Sequence, residues 1–107
     1  MRRGDVVLFK GRRDATGREQ RGHRYAVVLQ TNALEEDWST VVVAPTTTSP
    51  LGGFFRPEIE IREKRAHVLV DQIVAVDRSR LGRVGGSLSH AEMEAVERAI
   101  RFVLGLS

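Results

Sequence analysis

Residues 17–24 read Gly-Arg-Glu-Gln-Arg-Gly-His-Arg, and the apolar run Ala26-Val27-Val28-Leu29 follows almost at once. The stretch sets a cationic, hydrogen-bonding loop at the mouth of a buried strand. Arg18, Arg21 and Arg24 offer planar forks of donors that stay charged at any working pH, the chemistry that holds a phosphodiester. A second polar cluster, Pro45-Thr46-Thr47-Thr48-Ser49, also follows an apolar run. Threonine hydroxyls there can bind non-bridging phosphate oxygens. One reaction suits such a kit. RNA carries its own nucleophile, the 2′-hydroxyl, so an enzyme need only align it, neutralise the phosphorane charge and help move protons. DNA lacks that hydroxyl and would resist.

The elements that must position these residues are mostly strands. Val6 to Phe9 forms a short strand after Gly4-Asp5, and 10–24 is a long loop. Tyr25 to Gln30, apolar on both faces, should be central in a sheet. Thr31 to Ser39 connects to a third, β-branched strand, Thr40 to Ala44, which Pro45 ends. Pro57-Glu58-Ile59-Glu60-Ile61 alternates strictly, with Ile59 and Ile61 inward, and Glu63-Lys64-Arg65 turns the chain. Val68 to Val76 is one long strand with Asp71 and Gln72 in its middle, and Leu81 to Leu88 is expected to hold a further short one broken by Gly82, Gly85 and Gly86. Ser89 and Glu92 fit a capping box, and Met93, Val96, Ile100, Val103 and Leu104 make one apolar helical face up to a Gly105 stop. The expected fold is mainly β with a C-terminal helix: a small closed or half-closed barrel of roughly five to seven short strands, plugged by that helix.

Composition narrows the function. At 107 residues the chain is one domain, 1–107, with one small core. It has no cysteine, hence no disulfide and no thiolate metal site. No apolar stretch approaches the ~20 residues of a membrane span, and no signal-peptide core follows the basic N-terminus, so a cytoplasmic location without membrane contact is expected. Residues 1–30 hold eight Arg or Lys against three acids, net +5, and the rest is net −2. A basic third points to a polyanionic partner on one face. His23, His67 and His90 are scattered without metal-ligand spacing, and nothing in the sequence calls for a cofactor. One Trp and one Tyr are too few for a base-stacking platform.

Four stretches then carry a resemblance. Arg3-Gly4-Asp5-Val6-Val7, Glu19-Gln20-x-Gly-x-Arg24, Thr40-Val41-Val42-Val43-Ala44-Pro45-x-Thr47, and Asp71-Gln72-Ile73 before Asp77-Arg78 resemble the MazF/PemK family in order and spacing. These are toxins of type II toxin–antitoxin modules. The resemblance implies an SH3-like barrel that forms a homodimer and cuts single-stranded RNA at short sequences without metal, leaving a 2′,3′-cyclic phosphate and a 5′-hydroxyl. It also implies a cognate antitoxin whose acidic tail covers the RNA groove. The family's catalytic Arg falls on Arg24, which would stabilise the phosphorane, and its catalytic Thr on Thr47, which would hold a phosphate oxygen. Arg18, Glu19, Gln20, Arg21, Thr46, Thr48 and Gln72 would contact RNA or order the groove, with Glu19 an optional base. The sequence departs from the family pattern at Arg18, Tyr25 and Thr31, where Ser, Pro and Asn are usual. These changes bear on RNA sequence preference more than on the reaction.

Plainer readings stand beside these. Arg24 could be a strand-edge charge, Thr47 a turn cap, and Gln72 a polar group satisfied inside the barrel. His23 reads as a rim residue, His67 and His90 as surface, and Trp38 as a loop plug or dimer contact. Two rival functions use the same barrel: a toxin that poisons gyrase by protein contact, and a passive nucleic-acid binder. The first relies, by family resemblance, on a Trp-Gly pair near the C-terminus, whereas this chain ends Phe102-Val103-Leu104-Gly105-Leu106-Ser107. The second predicts salt-dependent binding without product.

Overall fold

The structure, a computed structural model, describes residues 1–10, 24–34, 38–49 and 53–107. Alternating apolar residues build seven strands: β1 (Asp5–Phe9), β2 (Arg24–Val28), β3 (Thr40–Thr47), β4 (Glu58–Ile61), β5 (Lys64–Val68), β6 (Val74–Asp77) and β7 (Leu81–Ser87). They form one antiparallel sheet in the order β4-β5-β3-β2-β1-β7, with β6 also on β3. The sheet curls into a half-barrel, and the helix α1 (His90–Leu104) lies against its inner face.

The period of two sorts the core into two clusters, one on each face of the sheet. Val6, Val27, Ala44, Ile59, Ala66 and Val68 meet Val96 and Ala99 of α1 on one side. Val7, Ala26, Val28, Val41, Val43 and Val76 gather on the other. The expected inward Ile59 and Ile61 are buried, and β2 is central between β1 and β3. At the helix start, Ser89 accepts from the Glu92 amide while Glu92 accepts from the Ser89 amide, and Gly105 ends the helix with φ 69°. The capping box and the left-handed glycine stop satisfy orphan groups at both helix ends. The helical face is less uniformly core than expected, since Leu104 lies exposed.

Four other sequence expectations are corrected. Pro45 does not end β3, which runs on to Thr47. Residues Thr40–Val43 pair with β6 and Thr46–Thr47 pair with β5, both on the same edge, so Pro45 sits at the changeover. Its missing N–H costs no ladder bond there, and its carbonyl accepts from the Leu69 amide. The long strand through Asp71 and Gln72 is interrupted: β5 stops at Val68, a 3-10 turn spans Val70–Gln72, and β6 begins at Val74. Asp71 is held there by Arg56, so the polar pair marks a break rather than a strand interior. The turn after β4 is Arg62-Glu63, with φ of 50° and 70°, and Lys64 and Arg65 already belong to β5. Lastly, β7 is continuous through its glycines, and its register against β1 shifts at two points around Val7.

Candidate active site

The two residues with the strongest chemical claim meet across a strand pair. Ala26 lies opposite Pro45 in the β2–β3 ladder, and continuing that register by two residues sets Arg24 opposite Thr47. Thr47 is in turn opposite His67 on β5, and His67 opposite Glu58 on β4. On the other flank, Arg24 is opposite Phe9 of β1. Directly opposed residues of an antiparallel sheet share a face. A single row therefore runs Phe9, Arg24, Thr47, His67, Glu58 across five strands.

Arg24 is exposed and lies on the ridge between two clefts. The first, of about 420 Å³, is lined by Arg24, Tyr25, Thr46, Thr47, Thr48 and the β5 residues Lys64, Arg65 and Ala66, with Ile61. The second, of about 350 Å³, is lined by Phe9, Pro45, Val76 and Arg80 among others. The Arg80 guanidinium stacks 4.6 Å from the Phe9 ring centre and donates to the Lys10 carbonyl. Among the described residues, no carboxylate pairs with Arg24, Lys64 or Arg65. The first cleft thus presents three cations and three threonines, a surface suited to a polyanion.

The three threonines divide the work. Thr46 is buried, and its hydroxyl donates to the Tyr25 carbonyl at 2.8 Å. Its proton is committed to tying β3 to β2, while the residue still borders the cleft. Thr47 Oγ1 accepts from the Ser49 amide at 3.1 Å. This is the turn-capping bond of the plainer reading, and among the described residues the Thr47 O–H donates to no acceptor, so it is available to donate outward. Thr48 is exposed on the cleft. Tyr25 follows Arg24, and its ring packs beside Gly85 of β7, with Cε1 only 2.6 Å from where a Cβ would stand.

The remaining expected residues fall elsewhere. Arg18, Glu19, Gln20, Arg21 and His23 lie outside the described residues. Gln72 is exposed in the 3-10 turn and is absent from both cleft linings, which corrects the expectation of a strand residue supporting the site from the barrel interior. Beside it, Arg56 donates to both Asp71 oxygens at 3.0 and 2.7 Å, and this pairing holds the Asp71 carboxyl below the usual carboxylate range. His90 is at the surface beside Glu94, 2.9 Å away, but His67 is largely buried rather than a surface residue. Trp38 is 53% exposed, more open than a loop plug would be. Lys64 and Arg65 escaped the sequence reading because a turn was placed over them. The alternation Arg65-Ala66-His67-Val68, two residues out and two in, was the signal that could have found them.

A family profile described as "PemK-like, MazF-like toxin of type II toxin-antitoxin system" matches residues 2–104. A protein of Mycobacterium tuberculosis strain H37Rv, named as a candidate toxin, is 41% identical over 84% of this chain and 84% of its own length. An endoribonuclease MazF from Staphylococcus saprophyticus is 33% identical over 99% of this chain and 92% of its own length. Among solved structures, an endoribonuclease in complex with its cognate antitoxin, from a mycobacterial species, superposes with a TM-score of 0.81. It is 21% identical, covering 100% of this chain and 97% of that one, and shares the curled seven-stranded sheet and helix.

Proposed function

Since the chain belongs to the PemK-like, MazF-like family of type II toxin–antitoxin toxins, we propose that it is a sequence-selective endoribonuclease cutting single-stranded RNA. The attacking group is the 2′-hydroxyl of the RNA, and the products are a 2′,3′-cyclic phosphate and a 5′-hydroxyl. The observation that carries this reading is the placement of Arg24 opposite Thr47 at the edge of a cleft rich in cations. Arg24 neutralises the phosphorane charge, which develops in the transition state and is therefore where a fixed cation lowers the barrier. The Thr47 O–H donates to a non-bridging oxygen and fixes the phosphate for in-line attack. Lys64, Arg65 and the exposed Thr48 hold the flanking backbone. The nucleophile comes with the substrate, and the charge is met by guanidinium, so no step calls for a metal.

The same cationic cleft suits an antitoxin with an acidic segment, which would compete with RNA for it. The exposed Phe54 and Phe102, whose ring centres lie 4.5 Å apart, make an apolar surface that a second copy would cover in a homodimer. Among the described residues no helix is long and apolar enough to cross a membrane, and action in the cytoplasm fits an RNA substrate.

The test is incubation of the purified protein with EDTA and a long mixed-sequence single-stranded RNA, with the fragment ends mapped. Discrete cuts ending in cyclic phosphate are expected, and an Arg24→Ala variant should be at least about 100-fold slower. An Arg24→Ala variant cutting at the wild-type rate would defeat the proposal. Intact RNA at concentrations that bind it would shift the function to gyrase poisoning or passive binding.

A further inference from the structure

Sequence selectivity needs more than a grip on phosphate, because every nucleotide carries the same backbone. The cleft of three cations and three threonines reads charge, not sequence. The second cleft has a different chemistry. Arg24 borders both, so a phosphate held on Arg24 brings a base next to the cut to the mouth of the second.

The ladders set its walls. Phe9, Arg24, Pro45, Val74 and Val76 share one face of the sheet, since Phe9 is opposite Arg24, Ala26 opposite Pro45, Val43 opposite Val74 and Val41 opposite Val76. Val74 is 42% exposed, an apolar side chain left open in a cleft that two cations share. Among the described lining residues only Arg24 and Arg80 have polar side chains. At about 350 Å³ the cleft falls in the range of small-ligand sites.

Arg80 is held in place. Its guanidinium carbon lies 4.6 Å from the Phe9 ring centre, and Nε and Nη2 donate to the Lys10 carbonyl at 3.3 and 3.0 Å. Those two bonds use one edge of the guanidinium. The remaining edge, Nη1 with the second N–H of Nη2, is a pair of parallel donors. A base splayed out of a single strand is recognised by flat surfaces it can stack on and by donors or acceptors that meet its edge. This cleft offers apolar walls, an aromatic-backed guanidinium and a fork of donors.

We infer that the second cleft is the pocket for one base adjoining the cut, and that Arg80 selects there a base with a keto edge, guanine or uracil. This inference rests on the nuclease reading above. Guanine presents O6 and N7, two acceptors that match the fork, and uracil presents O4.

Adenine and cytosine carry an exocyclic amine at the same place. The described side chains of the cleft include no acceptor for that amine, so it would leave water and meet the Arg80 donors unpaired. A site that rejects a base through an unpaired polar group discriminates more sharply than one that reads shape alone. Arg24 stays with the phosphate, so Arg80 sets which sites are cut without entering the chemistry.

The experiment compares wild type, Arg80→Lys and Arg80→Gln on a mixed-sequence RNA, with the base at each position around every cut counted. Wild type should favour guanine or uracil at one position adjoining the cut, and the counts say which. In both variants that preference over adenine and cytosine should fall at least about 5-fold, the low end for one bidentate contact, while preferences at other positions hold. Lysine keeps the charge but lacks the fork, so its failure to restore the preference separates base reading from charge. A synthetic substrate then removes the keto oxygen alone, with 2-aminopurine in place of guanine or pyrimidin-2-one in place of uracil. Wild type should cut it at least about 5-fold more slowly than the parent, and the variants should cut the two alike. Three results overturn the inference: no keto preference beside the wild-type cut, folded variants that keep it, or folded variants slowed equally on every sequence. A wild type indifferent to the missing oxygen also overturns it, and that result needs no variant to fold. If wild type cuts no RNA at all, it is the nuclease reading itself that fails.

Discussion

Gly85 and Gly86 are adjacent on β7, both with ordinary φ, yet a methyl group at each should have opposite effects. A Cβ built on Gly85 would stand 2.6 Å from Tyr25 Cε1 and 3.1 Å from Cζ and the hydroxyl oxygen, whereas one on Gly86 meets nothing within 4 Å. Real Cβ atoms do not approach ring carbons to 2.6 Å, so about 1 Å of movement is needed. The Tyr25 ring is half-buried against the inner core, and its backbone carbonyl is held by Thr46, so it cannot simply swing into solvent. Forcing a methyl into a packed site costs ~1–3 kcal/mol. Replacing Gly by Ala at an unstrained φ returns about 0.4–1 kcal/mol through the unfolded chain. Gly85→Ala should therefore destabilise by roughly 1–2 kcal/mol, near 4–8 °C in a domain of this size, while Gly86→Ala should be neutral or slightly stabilising. Urea unfolding of both variants, and of each combined with Tyr25→Leu, measures the effect. With the ring gone, Gly85→Ala should lose most of its cost, a coupling of about 1 kcal/mol. Equal effects at 85 and 86, or additivity with Tyr25→Leu, would refute the claim that this ring is wedged against β7. Because Tyr25 adjoins Arg24, Gly85→Ala should also slow RNA cleavage at temperatures where it is fully folded.

Two further outcomes are expected. Lys64→Ala and Arg65→Ala should each weaken binding of an uncleavable RNA and flatten the slope of log affinity against log salt by about 0.7 per lost phosphate contact, measured by fluorescence anisotropy. A Gln72→Ala variant should leave that slope unchanged. Asp71 has its carboxyl held low by Arg56, so the pair contributes stability that is present above the unfolded carboxyl's value of about 3.9 and is lost as pH falls below it. Urea midpoints of wild type should thus fall more steeply below about pH 4 than those of Asp71→Asn, which lacks this titration.

The architecture was legible where the apolar period was clean. The alternation of Glu58-Ile59-Glu60-Ile61 marked β4 and its inward face, and the Ser89–Glu92 box marked the start of α1. It was less legible where one strand serves two partners. Pro45 reads as a stop because proline cannot donate to a ladder. Only the sheet shows that it occupies the point where β3 passes from β6 to β5. The same limit hid much of the site. Arg24 and Thr47 stood out as residue types, but Lys64 and Arg65 join them through a pairing between segments some twenty residues apart. No local pattern encodes that register. Conversely, Thr46 and Thr47 look alike in sequence, and only alternation separates a buried tie from an outward donor.

That shared edge of β3 links the remote Arg56–Asp71 pair to the chemistry. For His67 to stand opposite Thr47, β5 must occupy the C-terminal half of the edge and then vacate it, so that β6 can take the N-terminal half. The chain manages this within the five residues between Val68 and Val74, through the 3-10 turn at Val70–Gln72. The Gln72 amide closes that turn on the Leu69 carbonyl, the Leu69 amide bonds the Pro45 carbonyl, and Arg56 clamps Asp71 to the segment leading into β4. A strand running straight through 68–76, as the hydropathy alone suggests, would carry β5 past the changeover and displace either β6 or the Thr47–His67 pairing. The polar Asp71-Gln72 step is therefore a condition for the row of Arg24, Thr47, His67 and Glu58, although neither side chain lines the cleft beside Arg24. Its contribution to the site is register.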